Sequence, residues 1–97
     1  MIVTFGNKLA QDLVEETPSK EVRSFPRELV QKARKKLAML HAAKELEDLT
    51  VFPGTRLKKL KGKRKGSRSI RINDQWRIVF EFRNGNAYDV TVEDYHP

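Results

Sequence analysis

Residues 68–92 read RSIRINDQWRIVFEFRNGNAYDVTV, and their pattern decides the fold. Apolar and polar residues alternate, the period of a strand with one buried face. Ile70 and Ile72 share a face of one strand, and Trp76, Ile78, Phe80 and Phe82 share a face of the next. Tyr88, Val90 and Val92 continue the alternation in a third. Turn residues interrupt it at Asn73-Asp74-Gln75 and at Asn84-Gly85. Because side chains alternate faces, parity then constrains register. A loop of residues 73–75 sets Ile72 against Trp76 and Ile70 against Ile78 on the core face. It also sets Arg71 directly opposite Arg77 on the other face. A two-residue turn at Asn84-Gly85 would oppose Phe82 to Ala87 and Phe80 to Asp89, mixing the faces. A three-residue loop with Gly85 in a left-handed conformation is therefore expected.

Like charges placed across a strand pair cost about 0.2–1 kcal/mol. A sheet face built to hold a phosphate has reason to accept that cost. Otherwise Glu81 or Glu93 would neutralise the arginines.

Upstream the pattern is helical. Ile2 to Phe5 reads as a short strand. A helix over residues 8–16 follows, with Asn7 as N-cap and Leu9, Leu13 and Val14 facing inward. Thr17 to Ser24 reads as a polar connection marked by Pro18. A second helix is expected from Pro26 to about Ala43. Leu29, Ala33, Leu37 and Leu40 make its apolar stripe, and Arg27, Lys32, Arg34, Lys35 and Lys36 its other surface. A helical turn near Glu45 to Leu49 closes this half before Pro53 and Gly54. The expected fold is α+β: an N-terminal strand, two helices, then a small antiparallel sheet of three to four strands, in one domain over residues 1–97.

Eight basic residues fall between Arg56 and Arg68 with no acid among them: Arg56, Lys58, Lys59, Lys61, Lys63, Arg64, Lys65 and Arg68. The chain holds 20 basic and 13 acidic residues, so outside this run 12 bases face 13 acids. One short segment thus carries the whole net charge of +7, a field that draws polyanions. There is no cysteine, which excludes disulfides and zinc–thiolate sites and fits a reducing compartment. No apolar run approaches the roughly 20 residues of a membrane span, and no secretory signal is seen. A cytoplasmic protein without membrane, metal or cofactor is expected.

Glu93, Asp94, Tyr95 and His96 concentrate proton-transfer groups in a chain with only two histidines. RNA cleavage asks for little more: a base for the 2′-OH, a cation for the charged phosphorus centre, an acid for the leaving oxygen. The other histidine, His41, is explained as a favourable cation at a helix C-terminus.

The run Arg56-Leu57-Lys58-Lys59-Leu60-Lys61-Gly62, the strand Ser69 to Ile78 with its Trp76-Arg77, the helix end Lys36 to Ala43 and the ending Glu93-Asp94-Tyr95-His96 resemble the HigB toxins. These belong to the RelE/ParE superfamily of type II toxin–antitoxin systems. The resemblance covers nearly the whole chain. It implies a compact α+β RelE-like fold and an mRNA endonuclease that works on translating ribosomes, held inactive by a HigA-like antitoxin. By position, Asp94, Tyr95 and His96 match the catalytic ending, Arg77 the arginine after tryptophan, and Lys61 the lysine before glycine. Some members carry a histidine where this chain has Lys58 followed by Lys59, leaving His96 as the histidine candidate. Lys58, Lys59, Lys63, Arg64, Lys65, Arg68 and Arg71 are then expected to contact mRNA or ribosomal RNA. Two other readings are a ParE-like toxin that binds a protein such as DNA gyrase, and a basic RNA-binding module without toxicity.

Overall fold

The structure of the protein, a computed structural model, describes residues 1–52 and 54–95, and of Lys63 the backbone only. Helices α1 (Lys8–Glu15), α2 (Lys20–Ser24), α3 (Val30–Ala42) and α4 (Glu47–Thr50) precede strands β1 (Lys58–Lys59), β2 (Ser67–Arg71), β3 (Trp76–Arg83) and β4 (Asn86–Asp94). The strands form one antiparallel sheet in the order β1-β2-β3-β4. Helices pack on one of its faces. Leu13, Phe25, Leu37, Leu40 and Leu49 meet Ile70, Ile72, Ile78, Phe80, Val90 and Val92 in a single buried cluster.

Asn7 caps α1 as expected, its Oδ1 accepting from the Ala10 amide at 3.0 Å. Its Nδ2 also donates to the Val92 carbonyl at 2.9 Å, pinning the helix start to β4. Leu13 faces inward, but Val14 is 39% exposed. Asp12 takes the buried place on α1 and accepts from Lys8 Nζ at 2.9 Å. Residues 20–24 are the helix α2 rather than part of a connection, because the Ser19 hydroxyl accepts from the Val22 amide at 3.2 Å and starts a turn. After Pro26 the chain first makes a 3-10 turn, Arg27–Leu29, before α3. The stripe Ala33, Leu37 and Leu40 is buried as expected, with Leu29 packed at its margin. Lys36 departs from expectation: it is buried on the inward side of α3.

The expected N-terminal strand is two isolated parallel bridges, Ile2 to Ala87 and Phe5 to Val90, along the free edge of β4. His41 supports this segment by accepting the Ile2 amide on Nδ1 at 3.1 Å. His41 lies in the last turn of α3 as expected.

Register between β2 and β3 follows the parity argument: Ile70 opposes Ile78, and Arg71 opposes Arg77. Asn73 Oδ1 shapes the intervening turn by accepting the amides of Gln75 and Trp76 at 2.9 and 2.7 Å. The turn between β3 and β4 corrects the expectation of a three-residue loop. Arg83 pairs with Asn86 around a two-residue turn, with Asn84 and Gly85 both left-handed at φ 51° and 79°. This is the primed geometry that matches strand twist. Phe82 does oppose Ala87, and the parity clash is then repaired inside β4. One extra residue is accommodated near Asp89, whose φ is 53°, and beyond it Val79 pairs with Thr91 and Ile78 with Val92.

Candidate active site

Alternation puts Ser69, Arg71, Arg77, Val79, Thr91 and Glu93 on the sheet face away from the helices. The connection of residues 60–66 lies between β1 and β2, and neighbouring strands are about 4.8 Å apart, so β4 is two to three strands away. Yet Arg64 in that connection donates from Nη1 to Glu93 Oε1 at 2.7 Å, and its Nη2 binds Oε2. The basic loop therefore folds across the polar face and is clasped to β4. Arg64 holds Glu93 below the usual carboxylate range, against the upward pull of burial, with the Thr91 hydroxyl helping. Glu93 in turn raises Arg64.

Arg77 lies on this covered face. Glu93, its register partner on β4, is engaged by Arg64. The Arg77 Nε and Nη1 are buried and have no hydrogen-bond partner among the described residues. Its guanidinium carbon stands 4.9 Å from the centre of the Tyr95 ring, and Lys58 Nζ stands 5.9 Å from the same centre. Tyr95 thus lies against two cations. The β2–β3 turn fixes the chain there: the Tyr95 amide donates to the Gln75 carbonyl at 2.5 Å, and Gln75 Nε2 donates to Asp94 Oδ2 at 3.0 Å.

Lys58, Lys59, Leu60, Lys61, Arg64 and Tyr95 line a groove of about 400 Å³. Lys59, Lys61, Lys65 and Arg68 help to line a second groove of about 480 Å³. Lys61 and Tyr95 therefore share one cleft, with Arg77 stacked on the ring that lines it. Asp94 is exposed at the end of β4. His96 lies outside the described residues, as does the side chain of Lys63. Arg71 opposes Arg77 in register but leaves this site, because its guanidinium binds Asp74 in the turn. Neither Glu81 nor Glu93 neutralises Arg71, since Glu81 pairs with Arg83 at 3.3 Å and Glu93 with Arg64.

Two features escaped the sequence reading. The Arg64–Glu93 clasp joins residues 29 apart, and nothing local marks it. Gln75 positions the tail through a backbone carbonyl and a side-chain amide, and a lone turn glutamine has no periodic signature. No group of three or more His, Asp or Glu residues that could hold a metal is found among the described residues. No helix among them is long and apolar enough to cross a membrane.

A shallow cationic cleft around an aromatic ring and a desolvated arginine suits a phosphodiester. Comparison with known proteins agrees with that chemistry. The chain is 35% identical to the "Endoribonuclease HigB" of Proteus vulgaris over 98 residues, covering 99% of this chain and 100% of that protein. It is 32% identical to "Toxin HigB-1" of Vibrio cholerae over 95 residues, covering 98% of each. The fold matches a chain of the YoeB–YefM complex from Staphylococcus aureus with a TM-score of 0.60 at 16% identity, covering 100% of this chain and 99% of that one. A family described as the RelE-like toxin of type II toxin–antitoxin system HigB matches residues 4–96. The chain belongs to that family of HigB-like toxins.

Proposed function

We propose that residues 1–97 act as one cytoplasmic toxin domain that cuts translated mRNA on the ribosome without a metal, and that a HigA-like antitoxin neutralises it. The observation that carries this reading is Arg77, whose buried Nε and Nη1 lack an anion among the described residues, beside the ring of Tyr95. A charge kept dry and unpaired is costly unless a ligand completes it. A phosphate in the cleft does so, accepting from Arg77 and Lys61. The printed name of the Proteus vulgaris relative supports nuclease chemistry, and the family's description as the toxin of a type II toxin–antitoxin system supports an antitoxin partner.

In this mechanism a base removes the 2′-OH proton, and that oxygen attacks the adjacent phosphorus. Arg77 and Lys61 stabilise the charge that grows on the phosphoryl oxygens. An acid protonates the departing 5′-oxygen, leaving a 2′,3′-cyclic phosphate and a 5′-hydroxyl. Asp94, Tyr95 and His96 supply the proton-transfer groups, imidazole being the side chain whose ordinary pKa lies nearest neutrality. Lys58, Lys59, Lys63, Arg64, Lys65 and Arg68 extend the basic surface toward mRNA and ribosomal RNA.

Mapping transcript ends after brief expression tests this. Breaks are expected within translated regions for the wild type. His96→Ala is expected to abolish them and relieve growth arrest while the protein still folds and binds ribosomes. Growth arrest with no breaks would redirect the reading to a protein target such as DNA gyrase, and a supercoiling assay would detect that.

A further inference from the structure

Lys36 retains only 9% of its surface exposed on the inward side of α3. A buried ammonium ordinarily meets a carboxylate. This one has none among the described residues, and Nζ reaches the hydroxyl of Thr55 at 3.3 Å. Thr55 is 1% exposed, and its carbonyl accepts the Arg71 amide at 2.7 Å. Thr55 therefore joins the two, taking the Lys36 ammonium on its hydroxyl and the Arg71 backbone amide on its carbonyl. Lys32 lies one turn back on the same side of α3, and Arg56 follows Thr55 with a left-handed φ of 47°. Burial first, and then the charges of Lys32, Lys35 and Arg71, push Lys36 below its ordinary value.

Lys36 has no anion among the described residues, whereas Arg71, Arg56 and Lys32 share one, Asp74. It is bound by Arg71 and lowered by that bond and charge first, with Arg56 and Lys32 adding to the effect. Its side chain is 97% exposed, and an exposed ion pair of this kind is weak and readily exchanged. Like charges gathered with so little compensation cost stability, and an arriving anion offsets that cost. The neighbouring charge favours nucleic acid. Edge strand β1 and the loop after it run from Arg56 through exposed Lys58, Lys59 and Lys61 to the Tyr95 cleft. A polymer with one charge per nucleotide fits such a continuous band.

We infer that Lys36, Thr55 and Arg71, with Lys32 and Arg56 around them, form a second phosphate site that grips the RNA backbone away from the scissile bond, Asp74 holding its place until RNA arrives. This rests on the RNA-cutting reading. The site sets the path of the strand across β1 into the cleft.

The test uses a 2′-O-methyl RNA oligonucleotide, which lacks the attacking hydroxyl, with binding followed by fluorescence anisotropy across salt concentrations. Lys36→Met keeps the apolar stem and removes the charge. It is expected to reduce the slope of log affinity against log salt by about 0.7, one phosphate contact on a single strand. Lys20→Met on α2 removes an equal charge outside the cluster and is expected to leave the slope unchanged. Asp74→Asn is expected to tighten binding by up to about fivefold, the size of one exposed ion pair. Should Lys36→Met fail to fold, the Asp74→Asn arm decides, since that position is exposed. Equal slopes for the two lysine variants, with no gain from Asp74→Asn, overturn the second site and leave the cleavage reading standing. A wild type that binds no RNA overturns both. If Lys36→Met instead weakens only the grip on an acidic protein partner, the anion belongs to that partner and the RNA site is likewise overturned.

Discussion

The two faces of this sheet are built on opposite terms. Toward the helices, Ile70, Ile78, Phe80 and Val92 are buried among Leu13, Leu37 and Leu40, where close packing supplies the stability. Among the described polar atoms without a partner, Trp76 Nε1 sits at the margin of that side, where the ring meets Phe25 edge-on at 4.8 Å. On the far face, β3 and β4 carry Arg77 and Glu93 under a basic loop, and two nitrogens of Arg77 are left without an acceptor. One face is held by apolar packing. The other holds a charge with no anion among the described residues, which is how a small fold keeps stability and chemistry apart.

The strongest way to break this comparison is to exchange effects between the faces. Arg77→Gln is expected to lower cleavage by about 10²–10³-fold, the range for losing one charge-stabilising donor. Its unfolding free energy should stay level or rise, because an uncompensated buried cation has gone. Leu40→Ala is expected to lose about 2–5 kcal/mol in urea unfolding while cleavage per folded molecule is unchanged. If Arg77→Gln unfolds as readily as Leu40→Ala, the arginine is a structural member and the contrast between faces disappears.

A smaller effect sharpens the role of the loop. Glu93 titrates below the usual carboxylate range because Arg64 binds it, so the folded state favours its charged form. The stabilisation is present above the unfolded value, near 4.3, and is lost as pH falls through the lower folded value. Glu93→Gln should therefore show a shallower loss of stability than the wild type between neutral pH and pH 3, by less than about 1 kcal/mol for so exposed a pair. Cleavage by this variant should suffer in KM more than in kcat, since the clasp holds the loop and does not touch the reacting bond. Identical acid unfolding curves would show that the clasp carries no stability.

Much of this was readable from residue order, and the failures are physically specific. Alternation from Ile70 to Phe82 gave the β2–β3 register, including Arg71 against Arg77, because a three-residue loop leaves one consistent solution. The same parity logic required an extra residue between β3 and β4, yet parity does not say where it goes. Asn84-Gly85 favours the tight primed turn so strongly that the extra residue moves to Asp89. Helix α2 escaped because five residues span less than two turns and show no periodicity. In the site, the charge run marked the basic loop, and chain order placed Tyr95 beside His96. Which arginine stays unpaired was invisible, since it depends on Arg64 crossing the sheet and Asp74 folding back on Arg71.

A local effect concerns the residue that lets β4 serve both faces. Asp89 is left-handed at φ 53°, a conformation that Asn, Asp and Gly tolerate and that branched side chains do not. The N-terminal segment clamps it: the Asp89 amide donates to Thr4 Oγ1 at 2.8 Å, and a Cβ added at Gly6 would come within 2.9 Å of the Asp89 carbonyl oxygen. Asp89→Val is expected to cost about 1–2 kcal/mol, and Asp89→Asn to stay within about 0.5 kcal/mol of wild type, both by urea unfolding. A valine accepted without loss would mean the irregularity does not sit at this residue. Thr91 and Glu93 would then no longer be held on the polar face by a left-handed Asp89, and the division between the faces would need another cause.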